Sequence, residues 1–433
     1  MKHIVIIGNG ISGTTAARHI RKQCDHRISI ISSETPHFYS RTALMYVYMG
    51  HLKFEHTKPY EDSFWKKNKI DLYFDTAHNI DVRSKRITLS SGDFLTYDIL
   101  VIAAGSVSNT LDTPGKNLSG VQSLYGYQDL QLMEKNTHSI RRAVVVGGGL
   151  IGIEMVEMLR SRKIDVTFLV REREFWNVAL PLEEASMISR HIRSHGVELK
   201  LGTQLKEIQG DAGRVTSIIT SNGEKIECEF VGITVGVSPN ISSVAGTGIE
   251  TRSGILVDEY LQTNIPDVYA IGDCVERKYE LRGRKKIEQV WYTGRMMGEV
   301  VAQTICGKPT KYDPGPWFNS AKFFDIEYQT YGNVGPLLQP GEEDFYWEHS
   351  SGLKSMHLVW NSQTLEFVGV NVFGIRLRHE SFDKWLQEGK DIRFVIENLR
   401  LANFDPEFFQ RHEEEIARQF LAKYPKLMKA AHA

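Results

Sequence analysis

The stretch that decides the fold runs from Ile4 to Gly13 and reads IVIIGNGISG. Its first four residues are a β-branched run, which is typical of a strand buried on both faces. Gly8, Gly10 and Gly13 follow in G-x-G-x-x-G spacing, and a helical pattern begins at Thr14. In this context the first glycine permits a tight turn, the second lets the backbone approach a pyrophosphate, and the third lets helix and strand pack closely. The stretch therefore predicts a dinucleotide-binding turn.

An acidic residue at the end of the next strand supports this prediction. The second strand is expected at Ile28 to Ile31, and Ser33 and Glu34 follow it. In dinucleotide-binding folds an acid about 20 residues after the turn accepts a hydrogen bond from a ribose hydroxyl. A lone glycine motif leaves an empty turn as an equal alternative, but Glu34 favours a bound dinucleotide.

A second strand–glycine turn–helix motif runs from Arg142 to Glu154 and reads RAVVVGGGLIGIE. Gly147, Gly149 and Gly152 keep the spacing of the first turn, after a buried strand and before a helix. Two such turns in one chain predict two bound dinucleotides.

The second turn differs from the first in the residue that would contact its ribose. Val170 and Arg171 stand where an acid is expected, and Arg173 follows. An arginine here favours a 2′-phosphate, whereas Glu172 between the two arginines opposes that preference. The sequence thus leans towards NADPH over NADH and leaves the choice open.

Composition excludes several classes of function. The chain has 433 residues, enough for two or three domains, with 52 basic and 53 acidic residues. This balance gives no argument for nucleic-acid or membrane binding through bulk charge, and neither partner is expected. No apolar run reaches the length of a membrane span, and the first strand begins too close to Met1 for a signal peptide. A cytoplasmic location is the expectation.

The four cysteines, at positions 24, 228, 274 and 306, form no closely spaced pair. This spacing argues against a local redox disulfide or a zinc site of the usual type, and it predicts buried, inert thiols.

Three further positions are candidates for ligand contact. The strand in YDILVIAAG ends at Gly105, and the one in VYAIGD is followed by Asp273. Arg41 lies in an irregular segment where it could pair with phosphates. Taken singly, each has an ordinary alternative: a glycine that ends a strand, a turn aspartate and a surface arginine.

The order of these motifs resembles the FAD-dependent pyridine nucleotide oxidoreductases, flavoproteins that bind two dinucleotides. Besides the glycine turns, the resemblance rests on ILVIAAGS, VGVSPN and GILVDEYLQTNIPDVYAIGDC. The segments ETPHFYSR, ending at Arg41, and PWFNSAKFFDIEYQTYG, from Pro316 to Gly332, are similar to one branch of the family. That branch holds ferredoxin reductases, the flavin module of nitrite reductase and apoptosis-inducing factor.

The resemblance implies an α/β fold with two Rossmann-like dinucleotide-binding domains, one inserted in the other, plus a C-terminal α+β domain. The FAD-binding domain is expected at residues 1–112 and 243–313. The NAD(P)H-binding domain is expected at 113–242, and the C-terminal domain, which would cover the flavin, at 314–433.

The resemblance also implies a set of cofactor-binding residues. Trp291 would place its backbone near the flavin pyrimidine edge, and Glu154 would lie near the nicotinamide. No catalytic side chain and no metal ligand is assigned. The full set of implied cofactor-binding residues is Gly8, Gly10, Ile11, Ser12, Gly13, Ser33, Glu34, Arg41, Ala77, Ala104, Gly105, Gly147, Gly149, Leu150, Ile151, Gly152, Glu154, Arg171, Gly236, Gly272, Asp273, Val290, Trp291 and Trp317.

Departures from the family pattern narrow the expected chemistry. The chain lacks the C-x-x-x-x-C pair of glutathione-reductase-like members, and Thr42 stands near the position of the cysteine found in coenzyme A disulfide reductases and NADH oxidases. Threonine cannot form a sulfenate or a mixed disulfide. Thr42 and Ala43 also replace prolines usual in ferredoxin reductases, which leaves the electron acceptor open.

The expected function is hydride transfer from NADH or NADPH to FAD, with electrons passed on to a small redox protein such as a ferredoxin or rubredoxin. Two alternatives remain: a flavin-dependent interaction protein resembling apoptosis-inducing factor, and an NAD(P)H oxidase without a redox cysteine. The protein would be a monomer or a homodimer.

Overall fold

The computed structural model describes residues 1–281, 283–404, 410–425 and 427. Within them the chain forms two parallel five-stranded sheets and one antiparallel five-stranded sheet, with smaller sheets beside them. The parallel sheets, the helices on them and the C-terminal α+β arrangement agree with the predicted fold class.

The first parallel sheet is built around the opening strand, His3–Ile7. Ile4 to Ile6 are fully buried, because this central strand has a neighbour on each side and helices above and below. The helix Ile11–Gln23 follows the glycine turn. In spatial order the strands are Val268–Ala270, Ile99–Ile102, His3–Ile7, Arg27–Ser32 and Ile70–Phe74.

The second parallel sheet repeats this design with the strand Arg142–Val146 at its centre. The helix Leu150–Ser161 follows the second glycine turn. In spatial order the strands are Glu198–Lys200, Asp165–Leu169, Arg142–Val146, Phe230–Ile233 and Val121–Gln122. The internal repeat inferred from the two motifs is thus a repeat of structure.

The chain leaves the first sheet, builds the second, and returns. Ser106–Ser108 leads out and Val237–Pro239 leads back, and these two strands pair antiparallel. Val268–Ala270 then joins the first sheet beside Ile99–Ile102. This path supports an inserted nucleotide-binding domain, although the residue boundaries stay predictions.

The C-terminal sheet is antiparallel and carries helices on one side. Its strands are, in spatial order, Phe318–Phe323, Ile326–Gly332, Phe367–Phe373, Ser355–Asn361 and Glu342–Glu348. The helices that follow are His379–Gln387, Ile392–Asn398 and Glu413–Lys423. Residues 405–409, 426 and 428–433 of the predicted C-terminal domain lie outside the described residues.

Smaller elements complete the described fold. The remaining strands are Ala77–Asp81, Arg86–Leu89, Phe94–Thr96, Leu205–Asp211, Arg214–Thr220, Lys225–Glu227, Ile255–Val257 and Val275–Arg277. The remaining α-helices are Leu44–Tyr48, Ser63–Lys67, Tyr127–Thr137, Leu182–Ser194 and Trp291–Ile305.

A glycine pair lets two helices from distant parts of the chain approach closely. A Cβ added to Gly298 of the helix Trp291–Ile305 would lie 2.6 Å from the carbonyl oxygen of Ser12, and one added to Gly294 would lie 2.5 Å from the Ser12 Oγ. Any larger side chain would push this helix off the helix that follows the first glycine turn. We call this packing the glycine contact.

The cysteines divide into two kinds. Cys228 and Cys274 are buried, and burial raises the pKa of each thiol to about 12. Cys24 and Cys306 are half-buried, and their Sγ atoms lie 2.6 Å apart at the ends of the two helices of the glycine contact. The sequence prediction of four inert thiols overlooked this long-range pair, because no spacing rule reaches across 282 residues.

Among the described residues, no helix combines the length and apolar character needed to cross a bilayer.

Candidate cofactor site

The first glycine turn has the geometry of a phosphate cradle. Gly8 has φ +106°, and a Cβ added to it would lie 2.1 Å from the carbonyl oxygen of Ala103. One added to Gly13 would lie 2.0 Å from the carbonyl oxygen of Gly8. Gly10 is different, since nothing lies within 4 Å of its added Cβ. Two glycines therefore hold the turn together, and the middle one leaves the backbone open to a ligand.

The second turn divides the same roles among its glycines. Gly147 has φ +117°, and its added Cβ would lie 2.4 Å from the carbonyl oxygen of Thr234. That of Gly152 would lie 2.1 Å from the carbonyl oxygen of Gly147, whereas Gly149 has nothing within 4 Å. Each turn thus presents one open backbone position at the start of a helix, where N–H groups and the helix dipole favour an anion.

A cavity of 530 Å³, the outer cavity, opens beside the first turn. Residues from the carboxyl ends of several strands of the first sheet meet there. Eleven of the predicted cofactor-binding residues line it: Gly8, Gly10, Ile11, Ser12, Ser33, Glu34, Arg41, Ala77, Ala104, Gly105 and Asp273.

A second cavity of 300 Å³, the inner cavity, shares part of this lining and reaches the second turn. Gly10 and Asp273 line both cavities. Ile151 and Glu154, from the helix after the second turn, face the inner cavity together with Trp291. The two dinucleotide-binding halves therefore converge on one space.

Glu34 and Arg41 are bound to each other at the wall of both cavities. The Arg41 Nη2 donates to Glu34 Oε2 at 2.5 Å, and Nη1 donates to Oε1 at 3.0 Å. The Tyr39 hydroxyl and the backbone N–H of Tyr127 also donate to Oε1. Desolvation opposes ionisation of Glu34, but Arg41 and these hydrogen bonds outweigh it and hold the pKa of Glu34 below its usual range. Oε2 accepts only from Arg41 among these donors and keeps capacity for a ribose hydroxyl.

Asp273 ends a chain of polar groups at the shared wall. The Gln289 amide donates to Ser106 Oγ at 2.7 Å, and the Ser106 hydroxyl donates to Asp273 Oδ2 at 3.3 Å. Desolvation raises the pKa of Asp273 to about 6, although the hydrogen bond from Ser106 and the charge of Arg41 both lower it. Its carboxylate is an acceptor for a hydroxyl of a ligand in the cavity.

Glu154 is an acidic residue in the lining of the inner cavity, on the helix after the second turn. Desolvation, together with the charge of Glu157, raises its pKa to about 7, and Lys322 opposes the shift. The Lys322 Nζ lies 2.6 Å from Glu157 Oε1, so Lys322 forms its ion pair with Glu157. Glu154 therefore changes charge near neutral pH.

The other predicted residues lie outside the two cavity linings. Gly13 and Gly272 pack behind the first turn, and Arg171 is exposed with its Nε 2.7 Å from Glu172 Oε1. The Trp317 ring lies 5.2 Å from the Arg284 guanidinium carbon. The rest are at or near the second turn or beside Trp291: Gly147, Gly149, Leu150, Gly152, Gly236 and Val290. Their cofactor contacts stay predictions.

The structure adds residues that sequence reasoning missed. Asn9 occupies a variable position of the first motif, and its amide donates to the carbonyl oxygen of Thr35 at 2.8 Å. Tyr125 supplies its carbonyl oxygen to Arg41 at 2.7 Å and lines both cavities. Gln289 lines the inner cavity next to the predicted Val290. Of these three residues, only Asn9 could have been found from the sequence, because it lies inside the first glycine motif.

No thiol lines either cavity. All four cysteines are among the described residues, and none contributes to the lining, whereas Thr42 does. Cys274 follows Asp273 directly, but its thiol turns away and donates to the carbonyl oxygen of Ile271 at 3.3 Å.

Comparison with known proteins agrees with this geometry. The model of the pyridine nucleotide-disulphide oxidoreductase family matches residues 2–298, which include both glycine turns and Trp291. The chain belongs to this family. As a pyridine nucleotide-disulphide oxidoreductase it uses FAD and NADH or NADPH, and each of its two glycine turns has an open backbone position that fits a dinucleotide.

Two relatives of this oxidoreductase show how much of the chain is similar in sequence to known proteins. It is 30% identical over 336 residues to a ferredoxin–NAD(P)+ reductase of a Sphingomonas species, covering 76% of this chain and 80% of that one. It is 27% identical over 397 residues to nitrite reductase [NAD(P)H] of Bacillus subtilis, covering 90% of this chain but only 48% of that one. The chain thus spans about half the length of the nitrite reductase.

A solved structure shares the fold. A ferredoxin reductase from Rhodopseudomonas palustris superposes with a TM-score of 0.79 at 24% identity, covering 86% of this chain and 91% of that one.

Proposed function

We propose that this oxidoreductase passes electrons from NADH or NADPH, through FAD, to a small redox protein such as a ferredoxin or rubredoxin. The observation that carries the proposal is the inner cavity, where Gly10 of the first turn and Ile151 of the second half line one space. A flavin held by the first half and a nicotinamide held by the second would meet there, next to Trp291.

FAD, when bound, accepts a hydride from a reduced nicotinamide and releases its electrons to an acceptor. The chain's own residues bind and orient the two cofactors. The open backbone at Gly10 and Gly149 would receive phosphates, and Glu34 and Asp273 would offer carboxylate oxygens to hydroxyl groups. Glu154 would offer a titratable carboxyl to a nicotinamide bound in the inner cavity, where positive charge would develop as hydride leaves.

The lining of the two cavities argues against a thiol as the first acceptor. A disulfide-reducing or sulfenate mechanism needs a cysteine in contact with the flavin, and Thr42 lines the inner cavity instead. Electrons must then leave to an external acceptor. The ferredoxin–NAD(P)+ reductase relative supports a small iron–sulfur protein.

The test uses purified protein loaded with FAD. Steady-state rates are measured with ferricyanide, with a ferredoxin coupled to cytochrome c, with a rubredoxin, and with oxygen. The proposal predicts rapid ferricyanide reduction, fast transfer to one redox protein and slow oxygen consumption. Fast peroxide or water formation without a partner would establish the oxidase alternative. Very slow turnover with every acceptor would contradict the proposal and favour a flavin-dependent interaction protein.

A variant pair ties the activity to the second turn. Gly149→Ala adds a methyl group where the backbone is open, so we expect a raised KM for the reduced nicotinamide with FAD content unchanged. Gly335→Ala is the matched control, because its added Cβ has only an ordinary contact, 3.6 Å from the carbonyl oxygen of Leu337. Equal KM values for the two variants would contradict the assignment of this turn.

The coenzyme preference is proposed to lean towards NADPH, as Arg171 is exposed and free to meet a 2′-phosphate once it leaves Glu172. Replacing Arg171 by alanine should raise KM for NADPH more than KM for NADH. A wild-type enzyme with a large preference for NADH would refute this part of the proposal.

A further inference from the structure

Three side chains from two parts of the fold converge away from the cofactor cavities. His191 lies on the helix Leu182–Ser194 and His195 follows at its end, one helical turn later. Asp325 lies in the turn between the strands Phe318–Phe323 and Ile326–Gly332. Its Oδ1 is 2.7 Å from His191 Nε2 and 3.5 Å from His195 Nε2. The three potential ligand atoms all lie within 4.8 Å of one another.

The orientation of His195 fixes its tautomer. Its Nδ1 lies 3.0 Å from the carbonyl oxygen of His191, and a carbonyl oxygen can only accept, so Nδ1 carries the proton. In the neutral ring Nε2 then presents a lone pair, and it points at the carboxylate oxygen of Asp325. A cation placed between these two acceptors, either a proton or a metal ion, would bind to both of them.

The surroundings hold both imidazoles in place. Phe324 stacks on the His195 ring, with the ring centroids 4.1 Å apart. His191 is buried, so the packing around it restricts the orientation of its ring. A histidine that ligates a metal commonly donates its other ring N–H to a carbonyl oxygen, as His195 does here.

We propose that His191, His195 and Asp325 form a binding site for a divalent transition metal, with Zn²⁺ as the best match. Two imidazole nitrogens and one carboxylate oxygen are ligands that Zn²⁺ accepts, at about 2.0–2.2 Å each. Asp325 is 70% exposed, so water completes the coordination from the solvent side. Binding through Nε2 requires the proton that His191 shares with Asp325 to leave this nitrogen, and a proton taken up at Nδ1 from solvent keeps the ring neutral, so no net proton is lost.

The site joins two parts of the molecule. The histidines belong to the half that contains the second parallel sheet, and Asp325 belongs to the C-terminal sheet. None of the three residues lines either cofactor cavity. The bound metal therefore acts as a clamp between the two parts and takes no part in electron transfer.

The test uses tag-free, FAD-loaded protein treated with a chelator and then titrated with ZnCl₂ or CoCl₂. We expect one metal ion per chain by calorimetry, a visible Co²⁺ spectrum that Zn²⁺ abolishes, and a raised Tm. Asp325→Asn and His195→Gln change partly exposed side chains, so both should fold, and each should weaken binding by about 100-fold or more. His138→Gln changes an exposed histidine elsewhere and serves as the control.

Three results would overturn the proposal. One is the absence of Zn²⁺ and Co²⁺ binding in the wild-type protein. Another is equal affinity in wild type, Asp325→Asn and His195→Gln, which would place the metal elsewhere. The third is a Tm that depends on pH through these residues and is unchanged by metal, which would make a proton the only cation between His195 and Asp325.

Discussion

Arg41 and Glu34 bind each other through two parallel hydrogen bonds, from Nη2 to Oε2 and from Nη1 to Oε1. The sequence assigned these residues separately to FAD, Arg41 near its phosphates and Glu34 at a ribose. The structure makes them one unit in the wall of both cavities, so changing either residue removes the charge partner of the other.

We expect Glu34→Gln to weaken FAD binding and to lower stability by about 2 kcal/mol, because it leaves the half-buried guanidinium of Arg41 without its charge partner. The flavin-to-protein absorbance ratio and urea unfolding measure the two effects. Glu55→Gln, at an exposed glutamate, is the control and should change neither. Full retention of FAD by Glu34→Gln would remove Glu34 from the binding site.

Gly10→Ala and Gly8→Ala should fail in different ways. An alanine at Gly10 points into open space at an ordinary φ of −66°, so the apoprotein should keep its stability while FAD affinity falls at least about tenfold. At Gly8, φ is +106° and the methyl group meets Ala103, so the fold itself should lose at least about 2 kcal/mol. Apoprotein melting curves and FAD titrations separate the two, and identical apoprotein stabilities would be inconsistent with the turn described.

The charge of Glu154 should control the pH dependence of hydride transfer. Its pKa is raised from 4.5 to about 7, so the carboxyl is neutral in acid and ionised above neutrality. Ionised Glu154 stabilises the positive charge that develops on the nicotinamide, so kcat/KM should rise with pH through about 7 in the wild type. Glu154→Gln should flatten this rise, and a profile that keeps it would assign the titration to another group.

The same shift predicts an effect on stability with the opposite slope. Between pH 4.5 and about 7, Glu154 is ionised in the unfolded chain but still largely protonated in the folded one. The free energy of unfolding therefore falls as the pH rises through this interval. Relative to Glu154→Gln, wild-type apoprotein should therefore become less stable across this interval. Urea unfolding at several pH values measures the difference between the two proteins, which should stay constant if Glu154 is not desolvated.

Cys24 and Cys306 should form a disulfide on mild oxidation. Diamide would accept two electrons and two protons from the thiols, whose Sγ atoms already lie 2.6 Å apart. Desolvation raises the pKa of Cys306 to about 12, so the reaction should speed up with pH. Non-reducing peptide mapping should show one cross-link that Cys306→Ser abolishes, with Cys228 and Cys274 still reduced. Cross-links through the buried cysteines instead would contradict the arrangement.

Sequence reasoning succeeded where the signal is local. The signal for a glycine turn between a buried strand and a helix lies within a few consecutive residues. Both turns therefore allowed the adjoining strand and helix to be predicted correctly. The helix Leu182–Ser194 had no element assigned to it, and Asp325 joins its histidines only through tertiary packing. The i, i+4 spacing of His191 and His195 was a visible signal, but the third ligand was not.

The glycine contact sets the order in which the flavin site can assemble. Gly294 and Gly298 seat against Ser12, and Trp291 begins the helix that carries them. The first glycine turn is synthesised before this helix, so it stays incomplete until the helix emerges from the ribosome and packs on it. Truncated chains ending before this helix would expose the buried side of the helix Ile11–Gln23, making it a natural target for chaperones and proteases during synthesis.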